Sequence, residues 1–100
     1  MNQIINRKRY DTLTATEVAT YWNGLGRGDL RNVSEKLYRK KTGEFFLSGE
    51  GGAMTEYSKS NGNISWGSSD IIPLTLEKAQ QWVEEKANSS YESIFGAVEE

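Results

Sequence analysis

Ser34-Glu35-Lys36-Leu37-Tyr38-Arg39-Lys40-Lys41-Thr42-Gly43-Glu44-Phe45-Phe46-Leu47-Ser48 decides how this chain reads. Two β-prone runs flank Thr42-Gly43, and two residues ending in glycine between such runs are a hairpin signal. With period-2 alternation, Leu37 falls on one face with Arg39 and Lys41, and Tyr38 on the other with Lys36 and Lys40. The return run, Glu44 to Ser48, is more apolar and is expected to be central. The basic run is expected nearer an edge, where Lys40 and Lys41 would block unwanted strand pairing.

Outward from this hairpin the reading is mostly β. Lys8 to Thr12 reads as a short strand, and Met1 to Asn6 is expected to be frayed. Thr14 to Trp22 is ambiguous. Thr14-Ala15-Thr16-Glu17 matches a capping box, whereas the Thr, Val, Tyr21 and Trp22 content favours a strand, the reading preferred here. Asn23-Gly24 breaks the element, and Leu25 to Asn32 is a loop. Met54 to Ser58 and Ile64 to Gly67 read as two short strands around Ser60-Asn61-Gly62-Asn63. Asp70 to Leu74 is extended, with Pro73 suited to an edge.

Helix signals come last. Thr75 can cap a helix over Thr75 to Ala87, in which Leu76, Ala79, Val83 and Ala87, with Trp82, form one apolar stripe. Leu76, Ala79, Val83 and Phe46 are expected to be largely buried, and Trp82 at least half buried. Ser89-Ser90-Tyr91-Glu92 can start a short helix that Gly96 ends, and residues 97–100 are expected to be a loose acidic tail. The fold class is α+β: one domain over residues 1–100, a hairpin-rich antiparallel sheet of four to six strands, a C-terminal helix packed on one face and a short terminal helix.

Composition bounds the chemistry. The 100 residues contain neither His nor Cys, which removes Ser-His and Cys-His nucleophile pairs and the usual zinc and iron ligands. Glu35, Glu44, Glu50 and Asp70 lie near element ends, but their spacing singles out no catalytic pair. Gly24-Leu25-Gly26-Arg27-Gly28-Asp29 fails the dinucleotide fingerprint at its last position. No cofactor, metal or small-molecule substrate is expected, and the chain reads as a binding protein rather than an enzyme. The N-terminal residues hold no apolar run of signal-peptide length and no stretch could span a bilayer, so the expected location is cytoplasmic.

Net charge is −2, unevenly spread. Met1 to Lys41 holds nine basic and four acidic residues, a net of +5, and Thr42 to Glu100 holds three and ten, a net of −7. Arg7, Lys8 and Arg9, with Arg39, Lys40 and Lys41, could track a phosphate backbone, and would form one patch if their elements lie together. Tyr10 and Tyr38 adjoin them and could stack bases. Glu77, Glu84 and Glu85, on the polar side of the helix, could instead meet a basic protein groove. Each group could equally be ordinary solvated surface.

Several runs carry a resemblance. Tyr10-Asp11-Thr12-Leu13-Thr14-Ala15, Leu37 to Leu47, Gly49-Glu50-Gly51-Gly52, Ile71-Ile72-Pro73-Leu74, the following Glu77, Ala79 and Trp82, and Tyr91-Glu92-Ser93-Ile94-Phe95-Gly96 resemble small proteins encoded on plasmids, conjugative elements and phages of Gram-positive bacteria. Some relatives of that family look like anti-CRISPR proteins that inhibit type II RNA-guided effector nucleases. No motif marks that branch, so no functional residue is carried over. The resemblance implies an inhibitor that binds such an effector and blocks guide RNA or target DNA, with a possible guide RNA contact. The alternatives are a nucleic-acid-binding accessory protein of a mobile element and a small enzyme.

Overall fold

The computed structural model describes residues 2–99; Met1 and Glu100 lie outside the described residues. In chain order the strands are β1 (Asn2–Ile5), β2 (Lys8–Asp11), β3 (Thr16–Trp22), β4 (Val33–Arg39), β5 (Phe45–Gly51), β6 (Lys59–Asn61), β7 (Ile64–Trp66) and β8 (Ser68–Leu74). Then follow α1 (Leu76–Lys86), a 3-10 turn (Asn88–Ser90) and α2 (Tyr91–Phe95). β3, β4, β5 and β8 form one antiparallel sheet in the order β3-β4-β5-β8, while β1-β2 and β6-β7 are separate hairpins. The α+β class stands, and Thr16–Trp22 resolves as strand.

The sheet is the middle layer of three. Leu37, Leu47 and Ile72 are in register across β4, β5 and β8. They point to α1 and α2, where Leu37, Phe45, Leu47, Ala79, Trp82 and Val83 make the main core. Tyr38, Phe46 and Pro73 are the next register row and face the other way. Phe46 there meets Tyr10 and Ile71, with Ile5, Ala15 and Tyr38 packed around them. One continuous sheet therefore buries apolar residues on both faces, which is why β5 alone reads as an unbroken apolar run at Phe45, Phe46 and Leu47.

Five expectations need correction. Residues 2–5 are not frayed: they pair with Lys8–Asp11 through a turn at Asn6 and Arg7, both with positive φ. Two successive positive-φ residues are the hairpin turn whose twist matches its strands, and burial of Tyr10 and Ile5 against Phe46 holds the hairpin down. β4 is an interior strand, because β3 covers its outer side. Lys40 and Lys41 lie beyond the end of β4, so they guard no edge; the edges are β3 and β8, and Pro73 sits on the latter. The central turn spans three residues, Lys41-Thr42-Gly43: the Gly43 amide donates to the Lys40 carbonyl at 2.9 Å and the Lys40 amide to the Glu44 carbonyl at 2.8 Å. This is the three-residue hairpin loop that ends in a left-handed residue, and Gly43 has φ +94°.

Residues 54–58 form turns, not a strand. The Thr55 hydroxyl donates to the Gly52 carbonyl and accepts from the Tyr57 amide, a local side-chain competitor to strand pairing. The strand begins at Lys59. Leu76 is 56% exposed. β8 ends at Leu74, opposite the first residue of β5, so the first turn of α1 overhangs the end of the sheet and Leu76 has no strand beneath it. Ala79, Val83 and Phe46 are fully buried and Trp82 is 7% exposed, as the stripe requires. Thr75 caps α1, accepting from the Lys78 amide.

Candidate nucleic-acid interface

The β1-β2 turn and the β4-β5 turn meet at one end of the sheet. Lys8 Nζ lies 3.1 Å from Glu44 Oε2, and Lys40 Nζ lies 3.5 Å from Glu44 Oε1. Lys40 Nζ also stands 4.3 Å over the Tyr10 ring. Tyr10 meets Phe46 edge-on and Tyr38 stacks on the same ring at 5.3 Å. Strand alternation puts Lys40 on the side of the sheet that β1-β2 covers and Arg39 on the side of α1, with Lys41 in the turn. Lys8 and Lys40 thus meet at this sheet end, whereas Arg9, next to the inward-facing Tyr10, falls on the outer face of the β1-β2 hairpin and Arg39 on the opposite side of the sheet, so the two triplets surround the end as a basic cap and do not form one patch.

Six cations belong to this cap, and Glu44 is the one carboxylate within 4 Å of any of them among the described residues. It serves Lys8 and Lys40. Arg7, Arg9, Arg39 and Lys41 are exposed and carry no ion pair among the described residues. The Lys8 hydrogen bond holds the Glu44 carboxyl below its usual range, and the same bond raises Lys8. Both groups therefore stay charged at neutral pH, and the cap keeps a net charge of +5. Exposed guanidinium and ammonium groups are donors of the kind that phosphate oxygens accept from. Tyr10, however, is 5% exposed. It cannot stack a base; its ring supports Lys40 and seals the β1-β2 hairpin onto Phe46.

Two of the three acidic helix residues do not join this surface, while Glu77 follows Leu76, which lines one hollow with Thr42, Gly43 and Glu44 at the cap end of the sheet. Glu77 lies in the first turn of α1, whereas Glu84 and Glu85 lie near its other end, about 10 Å further along the axis. All three are exposed, and none has a cation within 4 Å among the described residues. Since α1 runs back from the Phe45 end of the sheet to place Lys86 at Glu35, Glu84 and Glu85 sit away from the basic cap.

Glu35, one of the four carboxylates that the sequence offered near element ends, lies within β4 and is buried, 2% exposed on the helix side of the sheet. Its oxygens accept from the Tyr57 hydroxyl, from Trp82 Nε1 at 3.1 Å and from Lys86 Nζ at 2.9 Å. Burial pushes the Glu35 carboxyl up, but the hydrogen bonds from Tyr57, Lys86 and Trp82 outweigh it and hold it below the ordinary value. Burial and the bond to Glu35 push the Tyr57 hydroxyl far up. This carboxylate is ionised, closed off and fully engaged, so it ties a loop and a helix to the sheet and is a poor acid or base for an outside substrate. Among the described residues no group of three or more His, Cys, Asp or Glu side chains is placed to hold a metal ion.

No protein-family model, curated protein or solved structure matches the chain.

Proposed function

We propose that this chain is a non-catalytic binding protein whose basic cap engages nucleic-acid phosphates. The partner class that the resemblance implies is a type II RNA-guided effector, inhibited by occupation of its guide RNA or its path for target DNA. The observation that carries the reading is the meeting of the two basic runs at one sheet end, where Lys8 and Lys40 share Glu44 and where Arg7, Arg9, Arg39 and Lys41, their neighbours in sequence, are exposed with no ion pair among the described residues. Such an effector holds its heteroduplex by the backbone in a charged channel, so a rigid polycation at the guide competes with the protein's own contacts. The two hairpins fix the backbone positions of the cap, which leaves the long side chains as the part to be ordered on binding.

A second reading is favoured by the same cap, which needs no protein surface to hold phosphate: a nucleic-acid-binding accessory protein of a mobile element. The assay that separates them is cleavage of a guided target by a purified type II effector, with this chain added before or after the guide. The inhibitor reading expects protection, greatest when the chain is added first. Full cleavage in both orders, across several effectors, rejects it and leaves the accessory reading. Among the described residues no helix is long and apolar enough to cross a membrane, and a cytoplasmic site of action is part of the proposal.

A further inference from the structure

The β1-β2 hairpin covers only the half of its sheet face around Phe46. The other half is bare and concave. Its floor rows are Ser34, Glu50 and Ser69, then Lys36 and Ser48, in register across β4, β5 and β8. Three hollows open onto it. The first, of about 510 Å³, lies between Leu30 and Trp66; the second lies at Trp22, Leu25 and Arg27; the third lies at Lys36, Tyr38 and Ser48. Glu50 borders all three, Ser34 borders the second and third, and Ser69 borders the first and third. They are therefore one trough across the sheet.

Its walls are aromatic. Trp22 is 61% and Trp66 44% exposed, large apolar surface that folding leaves in water at two places facing the same trough. The Trp22 indole is fixed by donating to the Leu25 carbonyl at 2.7 Å. The charges along the trough are paired: Arg27 lies 3.8 Å from Glu50 and Lys36 3.5 Å from Glu17. A neutral, aromatic-walled, hydroxyl-floored trough does not attract phosphate. It suits the flat, uncharged bases of a strand whose phosphates are held elsewhere, and the basic cap adjoins it across Tyr38, whose ring both stacks on Phe46 and lines the trough. A four-stranded sheet with helices on one face and an aromatic-bearing face left open is a known solution for stacking unpaired bases.

We infer that the trough takes unpaired nucleotides, their bases stacked on the indoles of Trp22 and Trp66 and their edges meeting the serine hydroxyls and the Glu50 carboxylate. This inference rests on the phosphate-binding reading of the cap and deepens it from any nucleic acid to a single-stranded segment. The test uses the whole chain and two probes, a single-stranded RNA of about ten nucleotides and the duplex of the same sequence. The single strand quenches tryptophan fluorescence, and Trp66→Ala weakens its binding about tenfold while duplex binding changes less than twofold. Trp22→Ala repeats the result at a second exposed site. Arg39→Glu with Lys41→Glu weakens both probes. Unchanged single-strand affinity in both tryptophan variants overturns the trough inference and leaves the cap reading standing. Quenching by a neutral oligosaccharide and not by RNA assigns the trough to sugars and overturns it too. No binding of either RNA by the wild type overturns the cap reading along with it.

Discussion

The Tyr57 hydroxyl donates to the Glu35 carboxylate across the α-carbon of Gly49. Gly49 pairs with Glu35 in the β4-β5 ladder, and any side chain there would overlap the Tyr57 ring. Gly49→Ala is expected to expel Tyr57 and open the turns at residues 54–58, costing on the order of 2–4 kcal/mol through overpacking and the lost hydrogen bond. Tyr57→Phe removes only the bond to the charged acceptor, about 1.5–3 kcal/mol. Urea denaturation of both variants checks the order; a Gly49→Ala protein as stable as wild type would place Tyr57 elsewhere.

Stability should depend on pH at both ends through the same network. The folded state lowers the Glu35 carboxyl from its ordinary 4.5, so its contribution is complete above that value and is lost as pH falls through the folded value. Lys86 runs the other way. Burial lowers it, but the Glu35 hydrogen bond and charge raise it further from 10.5, so its contribution is complete below that value and is lost as pH rises through the folded one. Thermal melts across pH should show an acid limb that Glu35→Gln flattens, together with a loss of stability at neutral pH. An unchanged acid limb in that variant would assign the limb to other carboxylates such as Glu44, whose carboxyl the Lys8 hydrogen bond also lowers.

At the central turn, Gly43 holds φ +94° with open space around its α-carbon. The penalty for a side chain is therefore backbone strain alone. Gly43→Val should cost about 1–2 kcal/mol and should loosen the cap, because Lys40 and Glu44 flank the turn. Equilibrium denaturation gives the cost, and a neutral substitution would contradict the turn geometry.

The sequence showed the elements whose signals are local. Thr75 with the Ala79-Trp82-Val83 spacing marked α1, and Gly43 between β-prone runs marked the β4-β5 hairpin. What escaped depended on distant partners. Asn2–Ile5 has little strand character of its own and becomes a strand because Phe46 offers a surface for Tyr10 and Ile5. Leu76 fits the helical stripe but lies past the end of the sheet, which periodicity cannot see. Tyr57 lies in a stretch that reads as strand, yet Thr55 folds it into a turn aimed at Glu35. Of the candidate site, the two basic triplets were legible as runs, and the meeting of Lys8 and Lys40 at Glu44 was legible only as a condition on strand placement. Trp22 and Trp66 read only as strand content, because large aromatics in strands usually face a core, and their exposure onto one trough depends on how the β6-β7 hairpin and the loop at residues 25–32 border the sheet.

The central claim is that the basic cap holds phosphates, and the salt dependence of RNA affinity tests it most directly. Affinity of the wild-type chain for a single-stranded RNA should fall linearly on a log–log plot against salt, with a slope of about −0.7 for each phosphate neutralised. Replacing Arg7, Arg9, Arg39 and Lys41 with Glu should weaken binding and flatten that slope by roughly 2 to 3, as four exposed cations outside the core are lost. An affinity and slope identical to wild type in this variant would contradict the account.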